Sequence, residues 1–156
     1  MNRTIKKVAI LGSGVMGSRI ACHFANIGVQ VLLLDIVPFE LNEEEQKKGL
    51  TKESPLVRNR IVRLALENTL KANPSAIYEK SNASRITTGN FDDDLPKIKD
   101  YDWVIEVVVE RLDIKQQLFE KVEKYRKPGT LITSNTSGIP MHLMSEGRSE
   151  DFQAHF

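Results

Sequence analysis

Cysteine is almost missing from this chain. Cys22 is the only one in 156 residues, which excludes an intramolecular disulfide and a cysteine-rich zinc site. It falls in a helical stretch and reads as a small core residue. An excess of either charge is also missing: Lys and Arg total 22 against 21 Asp and Glu, for a net charge of +1. That removes the bulk electrostatic case for a nucleic-acid partner or an anionic membrane surface. No apolar run approaches the roughly 20 residues that span a bilayer, and the opening MNRTIKK carries no apolar signal region. There is no internal repeat beyond an alternation of strands and helices. What is present, 40% hydrophobic and 28% charged residues, is the composition of a soluble globular domain with its own core. These features read together as an intracellular, cytoplasmic protein.

The most informative stretch is Lys7 to Gly17, KVAILGSGVMG. Val8 to Leu11 is short, apolar and rich in β-branched residues, as a buried strand is. Gly12, Gly14 and Gly17 follow at G-x-G-x-x-G spacing, and Ile20, Phe24 and Ile27 then recur at helical steps. Strand, glycine turn and helix form the context in which this motif binds a dinucleotide. Gly12 would make the tight turn, Gly14 would let a pyrophosphate approach the backbone, and Gly17 would let helix and strand pack closely. The helix N-terminus would hold the phosphates. No Lys-Ser or Lys-Thr follows the third glycine, which disfavours a nucleoside-triphosphate loop. A second apolar run, Gln30 to Leu34, ends in Asp35. Asp35 lies about 18 positions after Gly17, against roughly 20 for the acid that accepts the adenosine ribose hydroxyls. A carboxylate there repels a 2′-phosphate and no Arg follows it directly, so the cofactor reads as NAD rather than NADP.

The rest of the chain keeps the alternation. Strands are expected at Lys6–Leu11, Gln30–Asp35, Ser84–Thr88, Trp103–Val109 and Leu131–Ser134. Helices are expected at Val15–Ile27, at Leu112–Arg126, and from Pro140 onward. Between residues 38 and 81 the pattern is that of an inserted helical arm. Its first part, through Ser54, is charged, lacks an apolar period and reads as solvated or mobile. Ser54-Pro55 is a helix start signal, so a helix over Pro55–Lys71 follows, ended by Asn73-Pro74, with a short one over Ser75–Lys80. The arm's basic set, Arg58, Arg60, Arg63 and Lys71, reads as a solvated face or as a contact for an anionic ligand. Glu106 interrupts the WVIEVVV strand and must either be paired or reach the strand's edge, because a buried unpaired carboxylate is costly. The fold class is α/β, a Rossmann-type doubly wound, mainly parallel sheet. Ligands then sit outside the carboxyl ends of the strands, where sequence order places the glycine loop, Asp35, Glu110, and Asn135 with Ser137.

The stretches VAILGSGVMGSRIA, LLLDIVP, VIEVVVERLDIKQQLF and ITSNTSGIP occur in this order along nearly the whole chain. With them the chain resembles the NAD-binding domain of the L-3-hydroxyacyl-CoA dehydrogenase family, and most closely bacterial proteins that carry an enoyl-CoA hydratase domain later. The resemblance implies an NAD-dependent oxidoreductase of fatty-acid β-oxidation that interconverts L-3-hydroxyacyl-CoA and 3-ketoacyl-CoA. It implies that Gly12, Val15, Met16 and Gly17 form the pyrophosphate loop, with Asp35 on the adenosine ribose. Glu110 and Lys115 correspond to residues near the nicotinamide end, and Asn135 and Ser137 to the Asn-Thr-Ser loop. Ser137 then assists catalysis by bonding the oxygen that becomes a carbonyl. The partners implied are an acyl-CoA substrate and a second copy of the full-length protein.

The sequence departs from the family after Phe156. The family's catalytic histidine lies in a Gly-x-His-Phe-Phe-Asn-Pro stretch that this sequence does not contain, and His23, His142 and His155 match other positions. The family's partner glutamate and helical C-terminal domain are not in the sequence either. Residues 1–156 therefore read as an NAD-binding domain that stops before its general base and is inactive alone. Two other readings remain open from the residues: the cofactor domain of a small hydroxy-acid dehydrogenase, and a non-catalytic dinucleotide-binding module.

Overall fold

The computed structural model describes residues 2–156. Five parallel strands, β1 (Lys7–Leu11), β2 (Gln30–Asp35), β3 (Ile86–Asn90), β4 (Trp103–Glu106) and β5 (Leu131–Ser134), form one sheet in the order β3-β2-β1-β4-β5. β1 is central. Val8 to Leu11 align with Val31 to Leu34 on one side and with Trp103 to Glu106 on the other. Side chains of a strand alternate between faces, and β1 supplies both cores. Val8 and Ile10 pack with Ala21, Cys22, Ala25 and Val62, while Ala9 and Leu11 pack with Leu118, Phe119, Val122 and Ile132. Helices on both faces make the sheet doubly wound, as the apolar runs predict.

Helix α1 (Val15–Asn26) covers the first face. Its small residues Gly17, Ala21 and Ala25 bring it close to the sheet, and Gly28, at φ 90°, turns the chain back into β2. Helix α6 (Leu112–Tyr125) covers the second face through Leu118, Phe119 and Val122. There Phe119 meets Phe152 and Phe156 edge-on, with ring centroids 5.7 and 5.0 Å apart. Phe152 belongs to α8 (Glu150–Ala154), which follows the short α7 (Met141–Met144). The chain then returns beside β5, where the Ile132 N–H donates to the His155 carbonyl at 2.9 Å.

The region between β2 and β3 departs from expectation in several places. The charged segment is not structureless: Glu43–Lys47 forms helix α2. Its signal is a capping box and not an apolar period. Asn42 accepts from the Glu45 N–H, and the Glu45 side chain accepts from the Asn42 N–H, each at 2.9 Å. Glu45 is buried, because Arg60 bonds its carboxylate. The expected helix over Pro55–Lys71 is broken at Asn59 into α3 (Pro55–Arg58) and α4 (Arg60–Leu70). Helix α4 is more than an arm: Val62, Leu66 and Leu70 join the core under α1, so it serves as the crossover from β2 to β3. No helix forms over Ser75–Lys80. Ser75 Oγ instead accepts the Ile77 N–H at 3.3 Å and donates to the Ile77 carbonyl, and a 3₁₀ segment follows at Lys80–Arg85. This delays β3 to Ile86. Finally, β4 ends at Glu106 and not at Val109, because the Glu106 carboxylate takes the Val108 N–H at 2.7 Å. The last two elements, α5 (Phe91–Asp94) and a 3₁₀ turn over Leu95–Asp100, connect β3 to β4.

The arm's basic residues are largely committed within the chain. Arg58 grips Asp93 through two bonds of 2.7 and 2.9 Å, Arg60 pairs with Glu45, and Arg63 reaches Glu67 at 3.3 Å. The reading as a contact for an anionic ligand gains no support from that geometry. Among the described residues no helix is long and apolar enough to cross a membrane.

Candidate dinucleotide site

The glycine loop lies between β1 and α1, and each glycine meets a different demand. Gly12 has φ 116°, a conformation L side chains rarely adopt, and a Cβ there would come 2.5 Å from the Val107 carbonyl oxygen. At Gly17 a Cβ would lie 1.9 Å from the Gly12 carbonyl oxygen, so the helix could not approach the strand. Gly14 differs: a Cβ there would meet nothing within 4 Å. The space beside Gly14 is open, which is what close approach of a ligand to the backbone requires.

The end of α1 facing that space has no internal partner. Gly14 is its N-cap, no side chain caps it, and no acid stands in its first turn. Its leading N–H groups and positive dipole end are therefore left for an anion. Val15 and Met16 are exposed beside it. Asp35 closes the other side of the loop. Its Oδ2 accepts from the Ser13 N–H at 2.7 Å and from the Ser13 hydroxyl at 2.5 Å, and its Oδ1 accepts from the Ile36 N–H at 2.7 Å.

A second cluster forms at the carboxyl ends of β4 and β5. Glu106 is fully buried and Lys115 is 1% exposed, with Nζ 2.7 Å from Glu106 Oε1. The partner that Glu106 required is thus Lys115, from the first turns of α6. Glu106 also accepts from the Ser134 hydroxyl and the Val108 N–H. Lys115 Nζ lies 3.3 Å from Glu110 Oε2 as well. Glu110, 44% exposed, faces the loop after β5. Its Oε1 accepts from the Thr136 hydroxyl, from the Ser137 N–H at 3.2 Å and from the Gly138 N–H at 3.1 Å. These bonds, the Thr136 hydroxyl foremost, with help from Lys115, hold the Glu110 carboxyl down at about 2. The sequence placed Glu110, Asn135 and Ser137 at one end of the sheet, and the structure joins Glu110 to the Ser137 backbone. Asn135 is exposed and tied to β4 through its N–H, which donates to the Glu106 carbonyl at 2.8 Å. The Ser137 side chain makes no hydrogen bond to the protein among the described residues, so its hydroxyl is available.

Three residues that sequence reading did not assign to the site belong to it. Ser13 holds Asp35; its only signal was its place between two glycines. Thr136 fastens the loop to Glu110, and the Ser134 hydroxyl donates to the Glu106 carboxylate. The histidines stand apart. His155 sits at the amino end of β5, its ring bonded to the Asp151 carbonyl at 2.7 Å, while Ser137 follows the carboxyl end of that strand. His23 lies in the last turn of α1, away from the glycine loop, and His142 is exposed in α7.

Comparison with known proteins accords with this geometry. Residues 7–156 match the family described as 3-hydroxyacyl-CoA dehydrogenase, NAD binding domain. The chain is 55% identical over 156 residues to a probable 3-hydroxyacyl-CoA dehydrogenase of Bacillus subtilis. It is 38% identical over 156 residues to a putative fatty acid oxidation complex trifunctional enzyme of Rickettsia felis. In both cases all of this chain aligns, and it spans 20% of the relative's length. Among solved structures, 3-hydroxybutyryl-CoA dehydrogenase from Escherichia coli superimposes with a TM-score of 0.64 at 26% identity, over 95% of this chain and 28% of that one. An open cradle at Gly14, an unpartnered helix end and a carboxylate at the end of β2 fit the NAD that this family binds. The chain belongs to the 3-hydroxyacyl-CoA dehydrogenase family and carries its NAD-binding domain.

Proposed function

We propose that residues 1–156 are the cofactor domain of a longer enzyme that interconverts L-3-hydroxyacyl-CoA and 3-ketoacyl-CoA in fatty-acid oxidation. In this reading a substrate domain follows in the complete protein, a view supported by relatives about five times as long. The observation that carries the reading is the open space at Gly14, set against the uncapped N-terminus of α1.

Gly14, Val15, Met16 and Gly17 would cradle the pyrophosphate with backbone N–H groups, and Gly12, whose own N–H donates to the Leu34 carbonyl at 2.8 Å, would shape the turn beneath it. Asp35 would accept the ribose hydroxyls. Glu110 and Asn135 would line the nicotinamide end, and the buried Lys115 would act there only through Glu110. NAD supplies the hydride acceptor when bound. Ser137 would donate its free hydroxyl to the substrate oxygen, which favours the transition state over the ground state as charge develops there. Ser137 is a poor base at neutral pH, and none of the three histidines is hydrogen-bonded to it. The proton of the hydroxyl group would pass to a residue of the substrate domain. The same reading takes the full-length protein to be a cytoplasmic homodimer acting on acyl-CoA, which cell fractionation and light scattering check.

The test is calorimetric titration of this chain with NAD and NADP, for the unmodified protein, Gly14→Val and Asp35→Ala. The unmodified chain is expected to prefer NAD, Gly14→Val to lose binding while keeping its circular dichroism spectrum, and Asp35→Ala to lose the preference. Normal NAD binding by Gly14→Val would show that this loop is not the phosphate site.

A further inference from the structure

The Asp35 carboxylate is gripped on three sides. Ser13 alone supplies two of its donors, both to Oδ2: the N–H at 2.7 Å and the hydroxyl at 2.5 Å. The third, the Ile36 N–H, reaches Oδ1 at 2.7 Å. Ser13 is itself fixed. It is 2% exposed, and its carbonyl accepts from the Ser18 hydroxyl at 2.7 Å, which ties it to the first turns of α1. The Asp35 side chain thus ties the glycine loop to the end of β2, beside the backbone bond from the Gly12 N–H to the Leu34 carbonyl at 2.8 Å.

We infer that Ser13 is a positioning residue that sets the preference for NAD over NADP by holding Asp35; this rests on the reading of Asp35 as the ribose ligand. With Oδ2 occupied by two donors, Oδ1 keeps the free acceptor capacity and is the oxygen left for the ribose hydroxyls. The hold also denies Asp35 an escape. A carboxylate that could rotate away would relieve its repulsion of a 2′-phosphate, whereas one fixed by donors from two elements cannot do so without breaking a charge-assisted bond. Selectivity here is therefore a property of the pair: Asp35 supplies the charge, and the Ser13 hydroxyl keeps it in place. A glycine or alanine at position 13 would retain the N–H bond and lose only the hydroxyl, so the contribution can be isolated.

The experiment titrates NAD and NADP into the 156-residue chain and its variants by calorimetry. In Ser13→Ala the ratio of NAD to NADP affinity is expected to fall about tenfold, the scale of one hydrogen bond to a charged group. Ser13→Cys fills the same space with a much weaker donor and is expected to follow Ser13→Ala. Ser13→Thr, which keeps the hydroxyl, is expected to hold the ratio near that of the unmodified chain. Should Ser13→Ala and Ser13→Cys keep the full preference while Asp35→Ala loses it, the inference falls and the reading of Asp35 stands. If Asp35→Ala also keeps the preference, or the unmodified chain shows none, both fall together.

Discussion

Replacing Lys115 with Met probes the buried charge cluster most directly. The ammonium lies 2.7 Å from Glu106, which is fully buried, and 3.3 Å from Glu110. Methionine has a similar stem and leaves little cavity, so what the substitution removes is the charge. Glu106 is then a carboxylate in the core without a cation. Breaking a buried pair in this way costs about 3–5 kcal/mol. Two neutral donors remain on Glu106, the Val108 N–H and the Ser134 hydroxyl, which places the loss in the lower half of that range. At roughly 2–4 °C per kcal/mol for a domain of this size, the melting temperature is expected to fall by about 6–15 °C. Thermal melts followed by circular dichroism at pH 7 measure it. The double variant Glu106→Gln with Lys115→Met removes both charges. Its amide can still accept from Val108 and donate to the Ser134 oxygen, so it is expected to recover more than half of the loss. The single variant melting within about 2 °C of the unmodified protein would refute the reasoning. So would a double variant no better than the single one, because the deficit would then not stem from an orphaned carboxylate.

Glu110 gives an expectation in acid. Its folded value, about 2, lies below the ordinary 4.5, so the support it lends the Thr136–Gly138 loop is complete above the ordinary value and is lost as pH falls through about 2. The Ser137 and Gly138 amide resonances should move in that acid range, and a transition complete by pH 4 would contradict the assignment. Gly17→Ala is expected to unfold the domain or lower its melting temperature sharply, since the added methyl would meet the Gly12 carbonyl oxygen at 1.9 Å. Gly14→Val, which adds a larger side chain, should melt normally.

The parts of this fold that could be read from sequence are those whose signals are local. Val8–Leu11, the three glycines and the periodicity of α1 specify one another within about 20 residues, as does the run into Asp35. Helix α6 was equally plain, since its apolar side repeats at three- and four-residue steps. What was missed depends on partners far along the chain. Glu45 is buried only because Arg60 meets it, so the acidic stretch before it looked solvated. The start of β3 is set in part by Arg85, the last residue of the 3₁₀ segment, whose side chain donates to the Ala25 carbonyl at 2.8 Å. In the site, the sequence shows that Glu106 must be paired or lie at the strand's edge, but no spacing rule chooses between these or identifies Lys115 as its partner. The Ser13–Asp35 pair was hidden for a different reason: a serine inside a glycine loop carries no periodic signal.

The position of β1 has a consequence for synthesis. It pairs with β2 soon after both emerge, but its other edge waits for β4, about 95 residues later. At roughly 5–20 residues per second, that edge stays open on the ribosome for about 5–20 s. During that time an apolar strand with unpaired N–H and C=O groups is exposed, and any extended segment nearby can pair with it. The strand that organises the finished sheet is thus the one most in need of protection while the chain is being made.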